Sequence, residues 1–178
     1  MRPVLLLLTA SLDGFIADVD DGVDWLGEPP DKLPEDYLDL LDTIDCLVMG
    51  SGTYRVSLEL AGGTDLFEGK DVYVFTSRKN LPPWPGVTFV HEPAENSIRR
   101  LSEGEGGTIW VFGGGKLGTA LSDAGLVDEY FIVVQPILLG DGVPLWVLPH
   151  GRTELELISA KAWAGGGAEL RYRRRRQG

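Results

Sequence analysis

Apolar residues along the chain fall into short continuous runs, which alternate with segments in which they recur at helical spacing. The first helical segment, Glu35–Thr43, has Tyr37, Leu38 and Leu41 on one face. Five runs predict strands: Val4–Thr9, Cys46–Met49, Val72–Phe75, Val87–Val90 and Thr108–Phe112. The other predicted helices are Thr53–Leu60, Ala94–Ser102 and Lys116–Ala124. This alternation predicts a mostly parallel sheet with helices on both faces.

The pattern changes after the last of these helices, because three strand-like segments follow with no helix between them. They are Glu129–Gln135, Leu155–Ala162 and Ala168–Arg174. The glycine-rich segment Trp163–Gly167 predicts the turn of a closing hairpin. A length of 178 residues suits one sizeable core. The sequence therefore predicts a single α/β domain over residues 1–178, a mixed sheet finished by antiparallel strands.

Composition limits the kinds of partner that the protein is expected to bind and the cellular compartment in which it is expected to work. A formal net charge of −11 argues against nucleic acid, and the basic cluster of Arg171 and Arg173–Arg176 is interpreted as a solvated tail. The only cysteine, Cys46, excludes an intramolecular disulfide, fits a reducing cytoplasm and begins an apolar run that predicts a buried thiol. The apolar stretch Val4–Leu8 is too short to span a membrane. The two histidines have no ligand spacing that predicts a metal site.

The most informative segment is Trp110–Gly118, WVFGGGKLG, in which a predicted strand runs into three glycines and then into a helix. Glycines leave the backbone open to a ligand, and the amino terminus of the following helix favours a phosphate. A side chain at Gly114 is therefore expected to block the ligand while the fold stays intact. The alternative is a tight turn that only connects packed elements.

Two well-known families with glycine loops match this segment poorly. The spacing of Gly113, Gly115 and Gly118 fits the Rossmann fingerprint, but it lies late in the chain and lacks the acidic residue expected about twenty residues further on. A P-loop would need Ser or Thr after Lys116, where Leu117 stands.

Three predicted strands end in small polar or glycine residues. The segments are Gly50-Ser51-Gly52-Thr53, Thr76-Ser77-Arg78 and Gly113-Gly114-Gly115-Lys116. Because ligands of such sheets bind at the carboxyl ends of the strands, we expect these segments to face one ligand. Two helix amino termini suit a pyrophosphate, and Arg78 suits a further phosphate on a ribose. The sequence thus predicts a site for a phosphorylated dinucleotide.

A combination of four segments resembles the dihydrofolate reductase-like superfamily. They are Ser11–Ala17 (SLDGFIA), Met49–Tyr54 (MGSGTY), Phe75–Arg78 (FTSR) and Val111–Gly115 (VFGGG). Within it, SLDG and Gln135–Gly142 (QPILLGDG) are similar to the C-terminal reductase domain of the riboflavin-biosynthesis deaminase–reductase and its stand-alone relatives. The resemblance implies a three-layer αβα fold with a mixed, mostly parallel sheet and an antiparallel C-terminal hairpin. It also implies an NADPH-dependent oxidoreductase.

The resemblance assigns cofactor contacts to four strand ends. Those near the pyrophosphate are Gly50, Ser51, Thr53, Gly113, Gly114, Gly115, Lys116 and Leu117. Those at the 2′-phosphate are Thr76, Ser77 and Arg78, and those lining the nicotinamide are Thr9, Ala10 and Ile16. Ser51 departs from the family pattern, since many relatives have Arg at that position as a phosphate contact.

The substrate side has fewer assignments. By resemblance, Asp36 falls near the acid that assists protonation in dihydrofolate reductases, although a carboxylate there also complements the dipole of the first helical turn. Asp13, Trp25 and Tyr54 are assigned to the substrate, and both aromatic residues have ordinary packing as an alternative. The loop Leu12–Pro34 is too acidic to favour a sugar phosphate. The acids that weigh against it are Asp18, Asp20, Asp21, Asp24, Glu28 and Asp31, and Lys32 is the only base of the loop.

The implied function is that of a 5-amino-6-(5-phosphoribosylamino)uracil reductase-like enzyme, with hydride transfer to a small heterocyclic or sugar-amine substrate. Dihydrofolate reductase activity and a non-catalytic nucleotide-binding module are the alternatives. A sugar-nucleotide enzyme on a Rossmann-like sheet would need helices up to the C-terminus, and the predicted final hairpin argues against it. We also expect a cytoplasmic homodimer, with no nucleic-acid or membrane partner, joined near Phe131–Val134, Ile137–Leu139 and Val143–Leu148, which includes Trp146.

Overall fold

A computed structural model describes residues 1–27, 32–60, 67–81 and 85–175 of the chain. The helices are α1 (Glu35–Asp42), α2 (Ser51–Leu60), α3 (Ala94–Glu103) and α4 (Gly115–Asp123). The strands are β1 (Val4–Ser11), β2 (Phe15–Ala17), β3 (Ile44–Gly50), β4 (Asp71–Phe75), β5 (Val87–Val90), β6 (Thr108–Phe112), β7 (Glu129–Gln135), β8 (Val143–Pro144), β9 (Leu155–Ala162) and β10 (Ala168–Arg174). Short 3-10 turns occupy Asp24–Leu26 and Ala164–Gly166.

The main sheet has eight strands in the order β5-β4-β3-β6-β1-β7-β10-β9. All pairs from β5 to β7 are parallel, whereas β10 runs antiparallel to both β7 and β9. The central strand β1 is paired on both sides, so that Leu5 lies opposite Trp110 of β6 and Glu129 of β7. The predicted mixed sheet with an antiparallel C-terminal hairpin is confirmed.

Helices cover both faces of the sheet. Successive side chains of β1 point to opposite faces, so this strand contributes to two buried clusters. Leu6 and Leu8 belong to a buried cluster with Ile98 of α3 and Leu121 of α4. Leu5 and Leu7 belong to the other cluster. That second cluster is completed by Tyr37, Leu40 and Leu41 of α1 and by Tyr54 and Leu58 of α2. Burying one such leucine stabilises the fold by roughly 1.5–3 kcal/mol. The predicted three layers are confirmed.

A second, two-stranded sheet was not predicted. Strand β2 lies within the first long loop. It pairs antiparallel with β8, so that Phe15 lies opposite Pro144. Both strands are too short to show alternation in the sequence. Their pairing ties the loop after β1 to the segment that follows β7.

The prediction of a solvated basic tail is wrong for Arg171 and Arg173. Arg171 and Arg173 lie in β10, where their side chains bind Glu129 of β7 and Glu156 of β9. Cross-strand pairing of opposite charges keeps these arginines on the sheet. Arg176 lies outside the described residues.

Two other predictions concern the cysteine and the crossing of a membrane. Cys46 is fully buried, as predicted, and burial raises the pKa of its thiol to about 11, so this cysteine is not a nucleophile. Of the helices in the described part of the chain, none has the length and apolar character needed to cross a membrane.

Candidate functional site

Four strand ends lie side by side at the carboxyl edge of the parallel sheet. In the order β4, β3, β6 and β1, they carry Thr76, Gly50, Gly113 and Thr9. The structure therefore brings together the three segments that the sequence predicts to face one ligand, and adds the end of β1. We call this set of four strand ends, with the first turns of α2 and α4, the glycine edge.

Helices α2 and α4 both begin at the glycine edge, next to each other. Gly113 adopts φ +110, and a Cβ built on it would lie 2.5 Å from Oγ1 of Thr53 in the first turn of α2. Any other residue at this position would thus be strained and would push the two helix ends apart. Because helix amino termini carry partial positive charge, two adjacent termini favour an anion with two phosphates.

The first turn of α4 leaves backbone donors open. No side chain caps this helix, and its first amide, on Gly115, donates to the carbonyl oxygen of Leu145 at 3.1 Å. The amides of Lys116 and Leu117 are the next two of the turn and have no acceptor within the helix. Of the glycine-loop residues assigned to the pyrophosphate, Lys116 and Leu117 are therefore better placed as N–H donors than Gly115.

Gly114 faces the protein rather than a ligand. A Cβ there would lie 3.1 Å from side-chain carbons of Leu8 and Leu145 and 3.3 Å from one of Ile16. A side chain at Gly114 would therefore press on these three neighbours, and its effect on ligand binding and on the fold stays a prediction. Gly50 is the more open position, since a Cβ built on it meets nothing within 4 Å.

Arg78 lies at the end of β4 as an exposed cation without a described ion-pair partner. Its backbone N–H donates to Oγ1 of Thr76 at 3.0 Å, and the carbonyl oxygen of Thr76 is 2.8 Å from Nδ1 of His91 on the neighbouring strand end. The turn is thereby fixed. Ser77 and Lys79 beside it are exposed as well.

The first long loop lies along the glycine edge. The side chain of Ile16 contacts the Gly114 position, and the backbone of Leu145 donates to Gly14 at 2.8 Å. Further along the loop, Asp21 pairs with Arg55 of α2 at 2.6 Å. The structure thus places Ile16 beside the glycine loop, whereas Ala10, which is 1 % exposed, can offer only its backbone.

Asp13 holds two loops together. Its carboxylate accepts hydrogen bonds from Oγ of Ser11 at 2.6 Å and from the amides of Leu139 and Gly140 at 3.1 and 2.7 Å. The hydrogen bond from Ser11, followed by that from Gly140, lowers the pKa of this carboxyl. Because both oxygens are already in use, Asp13 anchors the segment after β7 rather than offering a free carboxylate to a substrate.

Asp36 is paired and ionised. It lies in the first turn of α1, half exposed, and its carboxylate forms an ion pair with Lys161 of β9. The hydrogen bond from Lys161 lowers the pKa of Asp36. A carboxylic acid that donates a proton at neutral pH needs the opposite shift, so this geometry argues against the predicted catalytic role.

The two aromatic candidates differ in position. Tyr54 is 2 % exposed and packs between Phe67 and Phe89, with ring centroids 6.3 and 5.6 Å away, so it belongs to the core and cannot form the wall of a substrate site. Trp25 is half buried in the 3-10 turn of the first loop. Its indole N–H is buried and has no acceptor among the described residues.

Comparison with known proteins identifies the family of the chain. The family described as the RibD C-terminal domain matches residues 2–167. The chain belongs to this family. A curated relative, the uncharacterized protein YwjB of Bacillus subtilis (strain 168), is 32 % identical over 171 residues, which cover 96 % of this chain and 97 % of YwjB.

Solved structures agree with the assignment to the RibD C-terminal domain family. A protein of Shewanella sp. PV-4 named for riboflavin biosynthesis is 26 % identical, with a TM-score of 0.81 over 99 % of this chain and 100 % of that one. Dihydrofolate reductase of Enterococcus faecalis, solved in complex with NADP(H), has a TM-score of 0.65 at 17 % identity, covering 98 % of this chain and 97 % of the reductase. The second comparison shows the fold, which is dihydrofolate reductase-like as predicted.

Proposed function

We propose that this RibD C-terminal domain protein is an NADPH-dependent reductase that binds its cofactor along the glycine edge. The observation that carries the proposal is the juxtaposition, on adjacent strand ends, of two helix amino termini and an exposed arginine with no ion pair to a described residue. Membership of the family supports it, as does the likeness in fold to a reductase that binds NADP(H).

The residues present fit a phosphorylated dinucleotide. The amides of Lys116 and Leu117, with the first turn of α2, would hold the pyrophosphate, and Gly50 leaves space for its approach. The guanidinium of Arg78 and the hydroxyls of Thr76 and Ser77 would hold the 2′-phosphate. When bound, the reduced nicotinamide supplies a hydride to the substrate.

The polypeptide would orient the substrate at the glycine edge, and neither carboxyl that the sequence assigns there is suited to supply the proton. The two carboxyls assigned to the substrate side, Asp13 and Asp36, have lowered pKa values and existing partners, so neither is suited to donate a proton. The loop over the edge presents Asp18, Asp20 and Asp24 among its described residues, whereas Asp21 is paired with Arg55. Such a surface repels a substrate phosphate.

We therefore place the protein among reductases of the riboflavin-biosynthesis type, with a small heterocyclic or sugar-amine substrate. A substrate that lacks phosphate suits the acidic loop better than a sugar phosphate. The alternative function is a nucleotide-binding module without turnover. The ion pair between Asp36 and Lys161 favours this alternative, because it occupies the carboxyl that was predicted to donate a proton.

The experiment follows the absorbance of reduced nicotinamide with NADPH and two matched substrates, 5-amino-6-ribosylaminouracil and its 5′-phosphate. We expect oxidation of NADPH with the phosphate-free compound to be the faster of the two. Faster oxidation with the phosphate would contradict the substrate class and leave the reductase standing. Tight NADPH binding with no oxidation by either compound or by dihydrofolate would favour the module.

A further inference from the structure

An ion pair joins the first loop to helix α2 beside the glycine edge. Nη2 of Arg55 lies 2.6 Å from Oδ2 of Asp21. The two side chains are exposed by 55 % and 52 %, so the pair belongs to neither core cluster. Exposed ion pairs of this kind contribute little to the stability of a fold. Because so little holds it, the pair is readily exchanged when another anion approaches Arg55.

Arg55 is the only cation of α2 and lies one helical turn after Ser51, the residue at which the helix begins. Residues four apart share a face of a helix, and helical side chains point back toward its amino terminus. The guanidinium of Arg55 is therefore directed over the first turn of α2. That turn borders open space, because a Cβ built on Gly50 or on Gly52 meets nothing within 4 Å.

The partner carboxylate is presented by a tight turn of the first loop. Oδ1 of Asp18 accepts the amides of Asp20 and Gly22 at 2.8 and 2.7 Å, and the amide of Asp18 donates to the carbonyl oxygen of Gly22 at 2.9 Å. Asp21 has a left-handed backbone, with φ 64, which only glycines otherwise show among the described residues. Such outliers cluster at ligand sites and switches. The turn thus holds Asp21 in an uncommon conformation from which its carboxylate reaches α2.

A carboxylate and a phosphate are alternative partners of one guanidinium. Both are bound through the same planar set of N–H donors, so the carboxylate of Asp21 takes the place on Arg55 that phosphate oxygens would take. Among the described residues, Asp21 is the only ion-pair partner of Arg55. The full charge of Arg55 therefore becomes available to a phosphate at the first turn of α2 when Asp21 leaves.

We infer that Arg55 is a contact for the pyrophosphate of the cofactor, and that Asp21 and this pyrophosphate compete for its guanidinium. The inference rests on the proposed function of the glycine edge, to which it adds a residue that the sequence did not predict. Binding of the cofactor displaces Asp21 from Arg55. The turn over residues 18–22 then moves away from α2, because its charge and that of the phosphates repel each other.

The first test measures the affinities of NADPH and NADH for the full chain by calorimetry. Arg55→Met should weaken both about tenfold and leave their ratio unchanged, because the two nucleotides share the pyrophosphate. Asp21→Asn removes the competing charge and should tighten both about threefold. In the double variant, Asp21→Asn should add nothing to the effect of Arg55→Met. The matched control is Arg152→Met, an exposed arginine paired with Glu154 before β9, which should bind both nucleotides normally.

The second test follows the turn itself in NMR spectra of the ¹⁵N-labelled full chain. The amides of Asp20 and Gly22 report on the turn, because both donate to the carboxylate of Asp18. Addition of NADPH to the unsubstituted protein should move both resonances. We expect them to move toward the positions that they already have in nucleotide-free Arg55→Met, in which the ion pair is absent.

Three results would overturn the inference while NADPH binding itself stands. One is unchanged affinity of Arg55→Met with an unchanged Tm. Another is weaker binding by Asp21→Asn, which would make the ion pair a support of the site rather than a competitor. The third is a pair of turn resonances that stay in place when NADPH binds. Failure of the unsubstituted protein to bind either nucleotide would instead contradict the proposed function, and the inference with it.

Discussion

Arginines at two places in this sheet show how differently one residue type is used. At the antiparallel end, Arg171 and Arg173 are each held by a glutamate on a neighbouring strand, with N–O distances of 2.7–3.1 Å. At the glycine edge, Arg78 is exposed and has no described ion-pair partner. Paired arginines stabilise strands, whereas an unpaired arginine beside two helix amino termini remains available to an anion.

Backbone groups follow the same division between the two regions. At the antiparallel end, amides and carbonyls of β7, β10 and β9 pair along the strands. At the glycine edge, the first turn of α4 has amides without intrahelical acceptors and no capping side chain.

The largest effect is expected from closing the open position at the glycine edge. In Gly50→Val, a Cβ meets no protein atom, so the fold should be kept while the side chain occupies ligand space. NADPH affinity measured by calorimetry should fall on the order of tenfold to hundredfold. Gly104→Ala, at the end of α3, is the control and should bind normally. Unchanged affinity of a folded Gly50→Val would remove Gly50 from the site.

The next effect concerns the antiparallel end, where we propose that two copies of the chain associate. The sequence had suggested Phe131 and Val133 as part of this surface. Both are buried in the protein's own core, so they cannot form it. Strand β9, at the edge of the sheet, exposes Leu157 by 55 % and Ile158 by 43 %. Exposed apolar side chains on an edge strand favour association.

Light scattering at micromolar concentration should therefore give a dimer mass for the unsubstituted chain and a monomer mass for Leu157→Lys. The control is Leu38→Lys on α1, where the leucine is exposed to a similar degree, and this variant should remain a dimer. A monomer mass before substitution would contradict the association.

A smaller effect is expected where Asp13 joins the two loops. The pKa of this carboxyl lies below its ordinary value of 3.8 in the folded protein, so its stabilising effect is present at neutral pH and is lost as the pH falls through the folded-state pKa. Asp13→Asn should lower Tm at pH 7 and speed hydrogen exchange at Gly140. The difference in Tm from the unsubstituted protein should shrink toward pH 3. A constant difference across this range would mean that the charge does not matter.

The smallest effect is expected at Asp36. Because its carboxylate is ionised and bound to Lys161, Asp36→Asn should change kcat by less than about threefold, whereas loss of a general acid costs about 10²-fold or more. Lys161→Met is the matched variant and should behave alike. A large fall in kcat for Asp36→Asn alone, with a shifted pH profile, would restore the predicted catalytic role.

The regular elements and the glycine edge could be predicted because local sequence determines them. Strand-like segments and the turns between them are local signals, so β5, β6, β7, β9 and β10 begin and end at the predicted residues, although β9 is mostly exposed. The contacts made at long range could not be predicted. Nothing near Asp36 in the sequence points to Lys161, and nothing near Gly114 points to Leu145. Tyr54 was assigned to the substrate for the same reason, since its burial depends on Phe67 and Phe89.

The most direct test of the glycine edge as an NADPH site is a titration of NADPH and NADH against the unsubstituted protein, Arg78→Ala and Lys79→Ala. We predict a preference for NADPH that Arg78→Ala reduces roughly tenfold, because a charged hydrogen bond to the 2′-phosphate is lost. The Lys79→Ala variant should keep that preference. Equal affinity of the unsubstituted protein for both cofactors, or a preference that survives Arg78→Ala, would contradict the account.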